Sequence, residues 1–233
     1  NEDGGGDDWS DDEDSEGEDN YSYDLVGLSA EVLDQLRHND PDLTGLEING
    51  ASDVNPEFCD WEKNENFIAN NTHLTCLDVL LEEVDDEINL QNFKALLKAI
   101  SRNRTIKHFS VDFRALNLND TINSIEVLSQ FFEHNTNLRG IDINNVKIDR
   151  NNQQGAQVLA TCISNSTKSL RRLGLYCYGH QLKNEAARVI AASLDTHKNN
   201  LRKLTLNLNN NGKEWCIELA KLLGDPTAKL VIL

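Results

Sequence analysis

A six-residue pattern, apolar-x-x-apolar-x-apolar, recurs along the 233-residue chain and limits its fold more tightly than any other feature. It is met at Leu43/Leu46/Ile48, Leu74/Leu77/Val79, Ile106/Phe109/Val111, Leu138/Ile141/Ile143, Leu170/Leu173/Leu175 and Leu201/Leu204/Leu206. Successive first residues stand 31, 32, 32, 32 and 31 positions apart, and Leu230 follows Leu201 by 29 more. A fixed period of this size marks a repeat array, whose units cannot bury their apolar faces alone. Within each segment the apolar residues alternate with others, as in a short strand, and strands repeated in this way should pair in parallel.

A second ladder lies between the strands. Ile100, Phe132, Ile163, Leu194 and Leu223 precede each linker, with Leu96, Leu128, Leu159, Ile190 and Leu219 four residues earlier. Phe93, Ile125, Ala156, Ala187 and Cys216 stand seven residues earlier. These offsets put all three rows on one helical face. The row Leu97, Ser129, Ala160, Ala191 and Ala220 is mostly small, as close helix packing requires. The expected architecture is therefore α/β: a curved solenoid with parallel strands inside and helices outside.

At this point the chain, from about Leu25 to Leu233, resembles leucine-rich-repeat proteins of the ribonuclease-inhibitor class. Gly155-Ala156-Gln157-Val158-Leu159-Ala160 looks like that class's helix opening, and Leu201 to Asn209 fits its strand motif. The Asn that follows the strand in the class is present at Asn209, but Ala51, Glu82, Arg114, Val146 and Tyr178 occupy the corresponding places. Those five loops must satisfy their backbone groups in another way. Asn39-Asp40-Pro41-Asp42-Leu43 is similar to the start of the tropomodulin leucine-rich-repeat domain, although a helix stop before a strand explains the same residues.

Three segments follow from this reading. Residues 1–24 hold twelve Asp or Glu and no Lys or Arg, a composition that predicts a disordered acidic tail. Residues 25–42 should form an N-terminal cap, with Ser29 starting a helix from Ala30 to His38 and Pro41 ending it. Residues 43–233 should form six repeats and a truncated seventh strand, as in a fragment or an uncapped terminal repeat.

The acidic tail also accounts for most of the formal charge of −17. Without its twelve acids, 27 remain against 22 basic residues, a net of −5. That balance argues against nucleic acid or an anionic membrane as the partner. Five cysteines without a CxxC pair fit neither a disulfide framework nor a zinc site, so a reducing cytoplasmic or nuclear setting is expected. The chain begins at Asn1 rather than Met, which leaves secretion open; Asn-x-Thr sequons stand at Asn70, Asn103, Asn119 and Asn165. No apolar stretch is long enough to span a membrane.

The residues between the apolar strand positions should face the inner curve, where solenoids of this kind bind partners. They suggest partner contacts at Glu47, Asp78, His108, Asp112, Asp142, Arg172, Tyr176 and Lys203, acidic in the first four repeats and basic in the last two. An ordinary solvated face is the alternative. A second row, Lys107, Arg139, Arg171 and Arg202, should line one edge, either for solubility or to receive the acidic tail or an acidic partner. Tyr176-Cys177-Tyr178-Gly179-His180 reads as an aromatic loop, and Cys162 and Cys216 as core residues. No nucleotide-binding, hydrolase or metalloprotease motif is present. We expect a monomeric, non-enzymatic scaffold for a protein partner, without cofactor or metal. The resemblance also implies two other roles met in the class, a GTPase activator of the Ran type and a substrate adaptor in ubiquitin transfer.

Overall fold

The computed structural model describes residues 26–27, 29–49, 61–80, 86–114, 118–134, 137–147, 153–166, 169–178, 184–197, 200–208, 213–226, 228 and 231–232. Eight parallel strands pair in sequence order: β1 Val26–Gly27, β2 Gly45–Asn49, β3 Cys76–Leu80, β4 His108–Asp112, β5 Gly140–Lys147, β6 Arg172–Tyr178, β7 Lys203–Leu208 and β8 Val231–Ile232. The helices are α1 Ala30–His38, α2 Trp61–Asn70, α3 Asp86–Arg102, α4 Leu118–His134, α5 Gln153–Asn165, α6 Asn184–Asp195 and α7 Lys213–Leu223. Each helix packs against its neighbours in the series. Strands lie about 4.8 Å apart and packed helices about 8–10 Å apart, so the array must curve with its strands inside. The chain thus forms a leucine-rich-repeat solenoid. The acidic segment 1–24, Ala51, Glu82, Gly179, His180, Asn209 and Leu230 lie outside the described residues.

The two apolar ladders meet in one continuous core. Leu46, Leu77, Phe109, Ile141, Leu173 and Leu204 stack from strand to strand, and Leu96, Leu128, Leu159 and Ile190 close over them from the helices. Burying each such side chain is worth about 2 kcal/mol, against at most about 1 kcal/mol for an exposed ion pair, so burial sets the register. Phe93 and Phe113 meet edge to face at 6.4 Å, and Phe109 and Phe131 at 5.9 Å, within this core.

At the leading edge of the sheet, where the strands begin, the carbonyls of Thr44, Thr75, Lys107, Arg139 and Arg171 each accept two successive N–H groups from the next repeat at 2.7–3.1 Å. Behind them runs a ladder of side chains. Asn103 Nδ2 donates to Ile68 O and Asn71 O, while its Oδ1 accepts from the N–H groups of Thr105 and Ile106. Asn71 Oδ1 similarly accepts from His73 and Leu74. Asn39 begins the row with φ 53°, and its side chain exchanges two hydrogen bonds with Thr72. In later repeats Ser166 and His197 take over: His197 Nε2 donates to Ile163 O at 2.8 Å. Asn103 is buried with its amide doubly engaged, so its sequon is no glycan acceptor in the folded chain.

Several elements depart from the sequence reading. β1 pairs in parallel with β2, so a strand precedes the expected capping helix. Ser29 caps α1 as expected, with Val32 N–H bonded to its hydroxyl, but the left-handed Asn39 ends that helix two residues before Pro41. Tyr176, Cys177 and Tyr178 are not loop residues; they extend β6, with Cys177 buried opposite Val146. Cys162 is buried, whereas Cys216 is exposed, contrary to its core assignment. No described helix follows α7, so the flank bearing Cys216, with Ile217 42% and Leu223 45% exposed, lacks the cover that α3–α6 have on both sides. Leu222 is buried instead.

Two stability measurements test the ladder. Replacing Asn103 with Ala leaves the Thr105 and Ile106 N–H groups without their acceptor and removes one of the hydrogen bonds to Ile68 O and to Asn71 O, and should cost about 2–4 kcal/mol, read from urea unfolding midpoints. Burial lowers the pKa of His197 below its ordinary 6.5, against the opposing pull of the Ile163 bond. The unfolded chain therefore binds the extra proton first, and the stability held above pH 6.5 is lost as pH falls through the folded-state value. His197→Gln should flatten the slope of unfolding free energy against pH in that window.

Candidate functional site

The strand register assembles the candidate residues into two main rows on the face opposite the helices. The first runs Gly45, Cys76, His108, Gly140, Arg172 and Lys203 across β2 to β7. The second runs Glu47, Asp78, Ser110, Asp142, Gly174 and Thr205. Parallel pairing places like positions directly beside each other, so neighbouring side chains must share space. At two places a larger residue in one strand faces a glycine in the next. A Cβ at Gly140 would lie 2.4 Å from His108 Nδ1, and one at Gly174 only 1.9 Å from Asp142 Oδ1. The same Cβ at Gly174 would lie 3.1 Å from the Tyr176 ring. Both glycines are therefore shaped by the preceding strand's side chain, a reason that the repeat pattern alone does not reveal.

At the centre, Arg172 reaches back one strand and donates from Nη2 to Asp142 Oδ2 at 3.0 Å. Burial raises the Asp142 pKa, and Asp78 on the same row adds to the rise, while Arg172 and Lys203 oppose it. Asp142 Oδ1 and Arg172 Nε are buried without a hydrogen-bond partner among the described residues, so the pair is incompletely satisfied. Asp142, Arg172, Tyr176 and Lys203 thus form one group around Gly174. Glu47 and Asp78 lie side by side at the other end, and neither has an ion-pair partner among the described residues. Lys203 likewise has none. His108 lies between these groups, over Gly140.

Asp112 is placed differently. Only 8% exposed, it accepts from the Arg114 backbone N–H, from two Arg114 guanidinium nitrogens and from Asn145 Nδ2. Burial works to raise its pKa, but the Arg114 and Asn145 hydrogen bonds outweigh that effect and hold the carboxyl below its usual value. Asp112 therefore satisfies the backbone of the turn that follows β4. Asn145, in the left-handed region at φ 58°, makes this possible where the register slips between Ile143 and Val146.

The cysteines offer no activated nucleophile on this face. Burial, followed by Asp78 and Asp142, pushes the Cys76 thiol up to about 12, and burial alone carries Cys177 to about 12. Both stay protonated at neutral pH. No helix among the described residues is long and apolar enough to cross a membrane.

No protein-family model matches the chain, and no curated protein matches its sequence. Among solved structures, it is similar to a Caenorhabditis elegans tropomodulin C-terminal domain at 15% identity, covering 83% of this chain and 89% of that one with a TM-score of 0.47. It is also similar to the structure titled leiomodin-1 actin-binding site 2, at 17% identity, with 84% and 88% covered and a TM-score of 0.47.

The paired close approaches predict a compensation. Gly174→Ala should cost about 1–3 kcal/mol by displacing the Asp142 carboxylate. Adding Asp142→Ala should recover most of that loss in chemical denaturation, whereas adding Glu47→Ala, remote from Gly174, should recover none.

Proposed function

We propose that the strand face is a binding surface for another protein and that the chain acts as a non-enzymatic scaffold. The observation that carries this reading is the pair of charge groups held at fixed spacing by the parallel sheet. Glu47 and Asp78 lie at one end without ion-pair partners among the described residues; Arg172, Tyr176 and Lys203 lie at the other. A rigid face of this kind needs no reorganisation on binding, and long-range charge complementarity would orient a partner whose basic part meets β2 and β3. Tyr and Arg are common anchors because they bury large areas while offering hydrogen bonds. Asp112 is left out of this contact set because Arg114 and Asn145 already saturate it.

The partner in this reading is a protein rather than nucleic acid or a membrane, and no cofactor enters it. Nothing in the geometry of the face favours the GTPase-activator or ubiquitin-adaptor alternatives.

Affinity capture with the intact chain, followed by titration of each captured protein, tests the proposal. Asp78→Lys with Lys203→Glu should weaken a true face ligand by about 10–100-fold. Reversing the exposed Glu126 and Glu133 on α4 should leave its affinity unchanged. A ligand insensitive to the first pair and sensitive to the second would place the binding surface on the helices.

A further inference from the structure

The leading edge carries a second charged feature. Lys107, Arg139, Arg171 and Arg202 each stand immediately before a strand, and the carbonyls of Lys107, Arg139 and Arg171 are linked through the backbone to the residue in the next repeat. Their Cα atoms therefore succeed one another at about the strand spacing of 4.8 Å. Lys107, Arg139 and Arg202 meet no carboxylate among the described residues, and Arg139 and Arg202 are exposed. Like charges stacked at this distance repel, so the row is a site where an anionic chain gains more than it would at scattered lysines.

The chain enters β1 from that same edge. β1 runs parallel to β2 with Val26 beside Leu46, so the backbone entering Val26 comes from the side on which every other strand begins. The residues before Val26 include the twelve acids within 1–24. Twenty-four residues can extend to about 80 Å, and six strand spacings, from β1 to β7, amount to about 29 Å. Reach is no obstacle, and covalent attachment gives the segment a high effective concentration beside the row.

We infer that residues 1–24 dock along the Lys107–Arg139–Arg171–Arg202 row of the same molecule. The contact is electrostatic and multivalent, so it weakens as salt shortens the screening length. Docking there would place acidic chain beside Arg172 and Lys203, each the next residue after a member of the row, and so would compete with any acidic ligand approaching from that edge.

Amide resonances of residues 1–24 in the full chain, compared with a synthetic peptide of the same 24 residues, test this at about 20 and 500 mM salt. The segment's signals should be shifted or broadened at low salt and should return to the free-peptide positions at high salt. Lys107→Glu/Arg139→Glu/Arg202→Glu should abolish that salt-dependent shift, and the neutral variant Lys107→Gln/Arg139→Gln/Arg202→Gln should reduce it. Strand amide signals check that both variants are folded. Free-peptide positions at low salt in the unaltered chain would overturn the inference. So would a shift that survives in both folded variants, because the segment would then be held elsewhere, and so would a shift that grows with protein concentration, because the contact would then be between molecules.

Discussion

Every other property of this protein depends on the in-register parallel stacking of its strands. Each unit buries its apolar residues only against the units beside it, so the leucine positions must coincide from repeat to repeat. Once they coincide, everything between them coincides too. The same register that stacks Leu77 on Phe109 and Ile141 sets Asp78 beside Ser110 and Ser110 beside Asp142, and Cys76 beside His108. A slip of one residue would turn the core outward, at a cost in burial of many times any ion pair on the surface. The charged face is thus positioned by the core and contributes little to holding it.

Local chemistry then deals with what stacking leaves unfinished. Turn backbones at the leading edge would be buried without partners, and Asn71, Asn103, Ser166 and His197 satisfy them with short polar side chains. Repeat four carries an extra residue in its strand, absorbed at the left-handed Asn145, whose amide completes the shell around Asp112. Gly140 and Gly174 make room for His108 and Asp142. In each case a polar or small residue answers a geometric demand of a neighbouring repeat.

Much of this was legible from the sequence because the apolar spacing is a global constraint that leaves little freedom. The strands, the outer helices, the Ser29 cap and the two inner rows follow from it. β1 did not, since Val26-Gly27 is too short to show a period. Asp112 read as a partner contact because the amide that completes its shell, Asn145, comes from the next repeat, and the strand pattern does not show that the local Arg114 folds back onto it. Cys216 occupies the same ladder position as Phe93 and Ile125, yet its exposure depends on whether another helix lies beyond α7. The leading-edge ladder is visible in the sequence as Asn39, Asn71 and Asn103 at intervals of 32, a polar period that the apolar pattern does not require. The close approaches at Gly140 and Gly174 needed coordinates, because they depend on rotamers in the preceding strand.

Continuous in-register stacking makes the strand face a single rigid surface from β3 to β7. Native-state hydrogen exchange of the backbone amides tests it most directly. Slow, cooperative exchange with a common opening free energy is expected for the amides of Cys76, His108, Gly140 and Arg172, whose bonds link successive repeats. Fast exchange at Gly140 and Arg172 while Cys76 and His108 remain protected would show that the face breaks between repeats, and would contradict the claim.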